Sequence, residues 1–199
     1  MLKLGASLLV ALALLPVSAI AQPAEVILFR HGDKDRKRGD FNLSPQGFRR
    51  AVNLGRLLPA CFGPIEHIGS YMFKIGTQQN VRSFQTAMPL AVATGINILM
   101  FTDSDDGTPY DGAEVLKADW AQGKTVVLFW EHKHMPALAK AMGWAGMEPI
   151  DQNDFDGLYR LRYQPGSFVP EVLVSRQSKW FQQPCFLNAN SPLPAVGLP

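Results

Sequence analysis

Three short runs carry residue types that do chemistry. The first is Arg30-His31-Gly32, directly after Val26-Ile27-Leu28-Phe29. The second is Arg82, near the start of VRSFQTAMPLA. The third is Glu131-His132-Lys133-His134, directly after TVVLFW. A histidine at a strand tip serves as nucleophile or base once its ring is pinned. An arginine beside it supplies a planar fork of donors that fits phosphate or carboxylate. A glycine lets an anion approach the backbone. Together they describe an anion pocket with a nucleophile inside it. Arg82 opens a helix whose first amides already favour anions. His132 follows a second apolar strand, which brings it to the same crevice as His31.

Such residues work together only if the elements bearing them converge. The run 26–29 is apolar throughout, as in a strand covered on both faces. Residues 33–40, DKDRKRGD, are a charged loop. Ser44 then reads as an N-cap with Pro45 at the first helical position. Phe48, Ala51, Val52, Leu54, Leu57 and Leu58 form a helical stripe, which Gly63-Pro64 stops. The pattern predicts a strand over 65–73 and a helix over 82–93 ended by Gly95. It continues with a strand over 96–101 and a polar loop over 102–112. A helix over 113–121, a strand over 125–130 and a helix over 135–142 follow. GLYRLRY and EVLVSRQ then alternate with the two-residue period of half-exposed strands, joined by Pro165-Gly166. Strand–helix alternation predicts a three-layer α/β/α sandwich with a mainly parallel sheet and late antiparallel strands. Ligands of such sheets sit beyond the C-terminal strand ends, where Arg30-His31-Gly32 and Glu131-His132 lie.

The length of 199 residues and an apolar share of 47 % suit one domain with a proper core. The formal charge of +2 excludes broad electrostatic capture of nucleic acid as the main activity. Residues 1–21 carry one cation, Lys3, then an apolar run too short to span a bilayer comfortably, then Ala19-Ile20-Ala21. This reads as a secretory signal cleaved after Ala21. It implies a periplasmic or extracellular chain with no stable membrane insertion after cleavage. Cys61 and Cys185 are the only cysteines, and an exported chain with an even pair is expected to bond them. Residues 22–199 are read as a single domain, with a loose Pro-rich tail from about 188.

The ordered set resembles the histidine phosphatase superfamily, the phosphoglycerate-mutase-like or histidine acid phosphatase clan, in a small exported bacterial branch. It is carried by Arg30-His31-Gly32, Leu43-Ser44-Pro45-Gln46-Gly47, Arg82 with Gln85-Thr86-Ala87, and His132. The resemblance implies a phosphomonoesterase in which His31 attacks phosphorus and becomes a transient phosphohistidine. Arg30, Arg82 and His132 would cradle the phosphoryl oxygens. No metal or other cofactor is implied. The substrate would be a phosphorylated small molecule or envelope component.

The proton donor stays open at this level. The alternatives are Glu131, one of Asp103, Asp105, Asp106 and Asp111, or no dedicated group. Asp33 and Lys34 are expected at the entrance, with Arg36, Lys37 and Arg38 on the same loop. Arg176 and Lys179 are weaker candidates for a similar place. The short 102–112 segment leaves no room for a large cap domain, which suits broad specificity or a large substrate. Two rival readings stand beside this one. The first is a zinc hydrolase built on His132 and His134. The second is an inactive phosphate-binding relative in the cell envelope.

Overall fold

The computed structural model describes residues 22–35, 40–102 and 107–197. The predicted leader, the cluster Arg36-Lys37-Arg38, and Asp103, Asp105 and Asp106 lie outside the described residues. The chain runs β1 (Glu25–Arg30), α1 (Pro45–Cys61), β2 (His67–Ser70), α2 (Val81–Thr94), β3 (Ile98–Met100) and α3 (Gly107–Lys117). A 3₁₀ turn at Asp119–Ala121 leads to β4 (Thr125–Trp130) and α4 (Met135–Ala141). The antiparallel pair β5 (Gly157–Arg162) and β6 (Glu171–Arg176) follows, then short helices α5 (Gln177–Trp180) and α6 (Pro184–Leu187).

The strand order is β3-β2-β4-β1-β5-β6. β1 to β4 are mutually parallel where they pair, and β5 and β6 are antiparallel additions on one side. The expected architecture is therefore the observed one. The edges differ in detail. β2 and β3 are shorter than the expected 65–73 and 96–101, because the residues beyond them leave the ladder for loops. α3 begins at Gly107 rather than 113, and the stretch expected to extend it to 121 tightens into the 3₁₀ turn.

The central strands are buried on both faces, which is why they read as unbroken apolar runs. Val26 and Leu28 of β1 join Val126, Leu128 and Trp130 of β4 in the core beside α3 and α4. Ile27 and Phe29 join Val127 and Phe129 in the core beside α1 and α2. Residues two apart thus enter the same core, as the pleat requires. The α1 stripe is narrower than its pattern suggests. Ala51, Leu54, Leu57 and Leu58 are buried, whereas Phe48 is 57 % exposed.

Cys61, at the end of α1, is bonded to Cys185 of α6 with Cα atoms 5.3 Å apart. The bond fixes the C-terminal segment against the helical layer, where Leu193 approaches the backbone of Gly55. It closes a loop of 124 residues. A loop of that length implies about 3–5 kcal/mol of stabilisation, acting chiefly on the unfolded chain. Urea unfolding with and without reductant is expected to show a loss of that size. An unchanged midpoint in the fully reduced chain would refute the estimate.

Candidate active site

Adjacent parallel strands assemble the site. Arg30 and Trp130 are register partners at the ends of β1 and β4. The ladder runs one step further, with the His31 amide donating to the Trp130 carbonyl at 3.1 Å. His31 and Glu131-His132 therefore leave the sheet side by side. The His31 and His132 rings lie 6.4 Å apart, edge to face at 83°.

His31 is nearly fully buried, and its Nδ1 lies 2.8 Å from the Gly32 carbonyl oxygen. A carbonyl only accepts, so Nδ1 carries the proton and donates it. The lone pair then sits on Nε2. Burial pushes the ring down from its ordinary value of 6.5 to about 3. The Gly32 carbonyl opposes that shift, Arg30 and Arg82 add to it, and Glu131 opposes it. His31 is thus a neutral imidazole across the working range, with the lone pair of Nε2 available as a base.

The loop that holds it is fixed by the other motif pieces. The Gly32 amide donates to Thr86 Oγ1 at 2.8 Å, and that hydroxyl donates to the Arg82 carbonyl at 2.7 Å. The Leu43 amide donates to Gln85 Oε1 at 2.9 Å. Ser44 caps α1 by accepting from the Gly47 amide at 3.0 Å, and its hydroxyl donates to the Asp33 carbonyl at 3.1 Å. The reason for Gly32 differs from the sequence expectation of an anion-facing backbone. Its amide is taken by Thr86, and a Cβ there would sit 2.8 Å from the Gly47 carbonyl oxygen. A Cβ on Gly47 would sit 2.2 Å from the Asp33 carbonyl oxygen. The two glycines let the strand-end loop and the start of α1 pack backbone to backbone.

The arginines are held by backbone. Arg30 is 2 % exposed. Its Nη1 donates to the carbonyls of Asp151 (2.9 Å) and Asp154 (2.7 Å), and its Nη2 to that of Gln152 (3.0 Å). Its guanidinium carbon lies 3.9 Å from the centre of the Phe155 ring. Phe155 also packs on His31, with centroids 5.8 Å apart. The fork expected to face a phosphate is therefore engaged with the segment 151–155, while its charge stays beside His31. Arg82 donates through Nε to the Asn42 carbonyl at 2.9 Å and through Nη2 to the Asp40 carbonyl. Burial lowers its guanidinium from the ordinary value, and Asp40 opposes that.

Asp33, expected at the entrance, accepts from Arg50 Nε at 2.7 Å. Arg50, itself buried, also reaches Asp156 at 3.1 Å and Gln177 Oε1 at 3.3 Å. Arg176 pairs with Asp154 at 2.6 Å and Asp156 at 3.1 Å. Asp33 and Lys34 still line an open cavity of about 490 Å³ beside Ser44, Asn153 and Phe155. Arg50, the segment Asp151–Asp156 and Gln177 were not singled out from the sequence. DQNDFDG reads like any polar turn between a helix and a strand, and only the fold shows what it covers.

Glu131 is the carboxylate in contact with His132, at 2.6 Å from its Nδ1, though the approach is too bent for a well-aligned hydrogen bond. Its other oxygen accepts from the Lys133 amide at 2.7 Å. Burial pushes the Glu131 carboxyl up, but His132, the Lys133 amide and His31 together outweigh it and hold the carboxyl at about 2. It is ionised throughout the working range, so of the open alternatives for the proton donor Glu131 offers an acceptor rather than a proton. Asp111 is buried, accepts from the Thr102 amide at 2.9 Å, and is pushed up chiefly by burial. His134 stacks on Tyr71 with centroids 5.1 Å apart. Among the described residues the donor set whose atoms lie within 4.8 Å of one another is His31, Glu131 and His132. His134, named with His132 in the rival zinc reading, is outside that set.

Two depressed groups make the folded chain acid-sensitive. His31 falls from 6.5 to about 3 and Glu131 from 4.5 to about 2 on folding. As the pH drops, the unfolded chain takes up these protons first, so stability is full above about pH 6.5 and falls towards pH 2. Each unit of separation is worth about 1.4 kcal/mol. Urea midpoints measured from pH 7 to pH 4 are expected to fall steadily, and less steeply in His31→Ala. Equal slopes in the two proteins would contradict the assignment to His31.

No family model matches the chain, and no curated protein matches it either. Solved structures do. One carries the name SixA, from Agrobacterium tumefaciens, with 19 % identity and a TM-score of 0.50 over 76 % of this chain and 97 % of that one. A mycobacterial glucosyl-3-phosphoglycerate phosphatase in complex with inorganic phosphate has 16 % identity and a TM-score of 0.52 over 76 % and 95 %. A protein histidine phosphatase SixA complexed with tungstate has 12 % identity and a TM-score of 0.50 over 78 % and 98 %. The chain has the fold of the histidine phosphatases, the phosphoglycerate-mutase-like α/β fold.

Proposed function

We propose that the chain is an exported phosphomonoesterase that works through a phosphohistidine on His31 and needs no metal. The observation that carries this is the neutral His31 ring, pinned through Nδ1 to the Gly32 carbonyl with Nε2 left as the base, beside His132. In this reading Nε2 attacks phosphorus and forms the N–P bond as the P–O bond to the alcohol breaks. The leaving oxygen takes its proton from His132, which Glu131 orients. Water, giving up a proton to His132, then attacks phosphorus as the N–P bond breaks, which releases orthophosphate and restores both histidines. The charges of Arg30 and Arg82, both felt at His31, offset the charge of the transferring group.

Two structures of this fold hold phosphate or tungstate, a tetrahedral oxyanion of the same shape. That supports a tetrahedral oxyanion as the kind of ligand this fold takes. Export is supported by the leader pattern and by a Cys61–Cys185 bond suited to an oxidising compartment. The substrate class proposed is a phosphorylated small molecule or envelope component. Hydrolysis of an aryl phosphate in EDTA is expected to proceed at the same rate as without it. Loss of turnover on chelation, restored by added metal, would overturn metal independence.

A second reading has one observation in its favour. Arg30 donates to three carbonyls of the segment 151–154, which suits a protein that binds a phosphorylated ligand without turning it over. Tight phosphate binding by a folded protein that hydrolyses no phosphomonoester would support it.

A further inference from the structure

We infer that the His31–Glu131–His132 cluster captures a divalent transition-metal ion, and that capture inhibits the chain rather than activating it. The donors are two imidazoles and one carboxylate, with one ligand atom from each within 4.8 Å of the others. Two histidines and a carboxylate form a donor set that suits Zn²⁺ and its neighbours.

The surroundings are also those of a ligand set. The ring nitrogen of His31 that faces away, Nδ1, donates to the Gly32 carbonyl at 2.8 Å. A metal-binding histidine is normally held through its second nitrogen in this way. Glu131 keeps one oxygen on the Lys133 amide at 2.7 Å. His132 is 9 % exposed, and its Nδ1 has no well-aligned hydrogen-bond partner although it lies 2.6 Å from Glu131. A cation bound to both would replace that contact, the nitrogen and the carboxylate oxygen moving apart to take it. The charges of Arg30 and Arg82 oppose the ion, since both act at His31. This is therefore a reversible site and not a structural one. The ion occupies Nε2 of His31, so metal and phosphoryl group exclude each other.

The inhibitory half rests on the proposed phosphatase activity; the binding half does not. The test is calorimetric titration of the EDTA-stripped, dialysed protein with ZnCl₂, with and without tungstate, beside activity measured over the same zinc range. One zinc per chain is expected. Binding should weaken at least about 10-fold in His31→Ala and in Glu131→Gln, since loss of a ligand outweighs loss of its support. His134→Ala should bind as the parent does, and tungstate should shift the curve to higher zinc. Circular dichroism establishes that each variant is folded. Cobalt absorption of the parent, lost on adding tungstate, reports the same site without any variant. Zinc binding unchanged by His31→Ala, abolished by His134→Ala, or indifferent to tungstate would overturn the site. Binding as expected with activity rising on zinc addition would overturn the inhibition and also the metal-free reading. A protein that binds zinc as expected but hydrolyses nothing would keep the site and refute the phosphatase.

Discussion

Replacing His31 by alanine is expected to lower kcat on a phosphomonoester by on the order of 10⁴-fold or more, the scale on which loss of a nucleophile falls. The protein should remain folded. The ring is buried, but its main hydrogen bond is to the neighbouring Gly32 carbonyl, and the loop keeps its other ties. Gly32 is still held by Thr86, and Asp33 by Ser44 and Arg50. Removal also takes away a group whose burial disfavours its charged form. The variant should therefore lose activity and some acid sensitivity together. Steady-state kinetics beside urea unfolding at pH 7 and pH 4 reads both. A variant that keeps even a tenth of the parent's kcat would exclude His31 as the nucleophile.

Arg50→Met is expected to cost about 3–5 kcal/mol, the range for removing one partner of a buried ion pair. Arg50 is 7 % exposed and is shared by Asp33, Asp156 and Gln177. Asp33 has only 15 % of its side chain exposed and is poorly solvated once Arg50 is gone, whereas Asp156 keeps Arg176 at 3.1 Å. Methionine keeps much of the volume, which limits the packing loss. The expected effect goes beyond stability, because Asp33 belongs to the loop after His31 and Asp156 follows Phe155, which packs on that ring. Urea unfolding with substrate kinetics on the folded fraction checks it. A change below about 1 kcal/mol would show that the pair with Asp33 and Asp156 is solvated after all.

The site was legible in the sequence where chemistry coincides with a strand end. β1 and β4 are apolar without interruption, so their ends stand out, and His31 and His132 meet there. Ser44 and Pro45 likewise announce the start of α1 by local rules. Gly32 shows the limit of residue-type reasoning. Glycine was expected for an anion, and the fold uses it to bring Gly47 close. The engagement of Arg30 by the segment 151–155 was invisible, because its partners are backbone carbonyls about 120 residues away along the chain. Any residue type offers a carbonyl, so no pattern marks them. The ionised state of Glu131 was equally hidden. It depends on how burial is outweighed by His132, Lys133 and His31, which is a property of the assembled site.

The central claim is covalent phosphoryl transfer to His31. The most direct measurement is mass spectrometry of the chain, quenched within milliseconds of mixing with an aryl phosphate in EDTA under conditions that preserve phosphoramidates. The account predicts a phosphoryl adduct on His31 that forms before steady state and is absent from His31→Ala. Turnover of the substrate with no adduct on His31, or with the adduct on another residue, would contradict it.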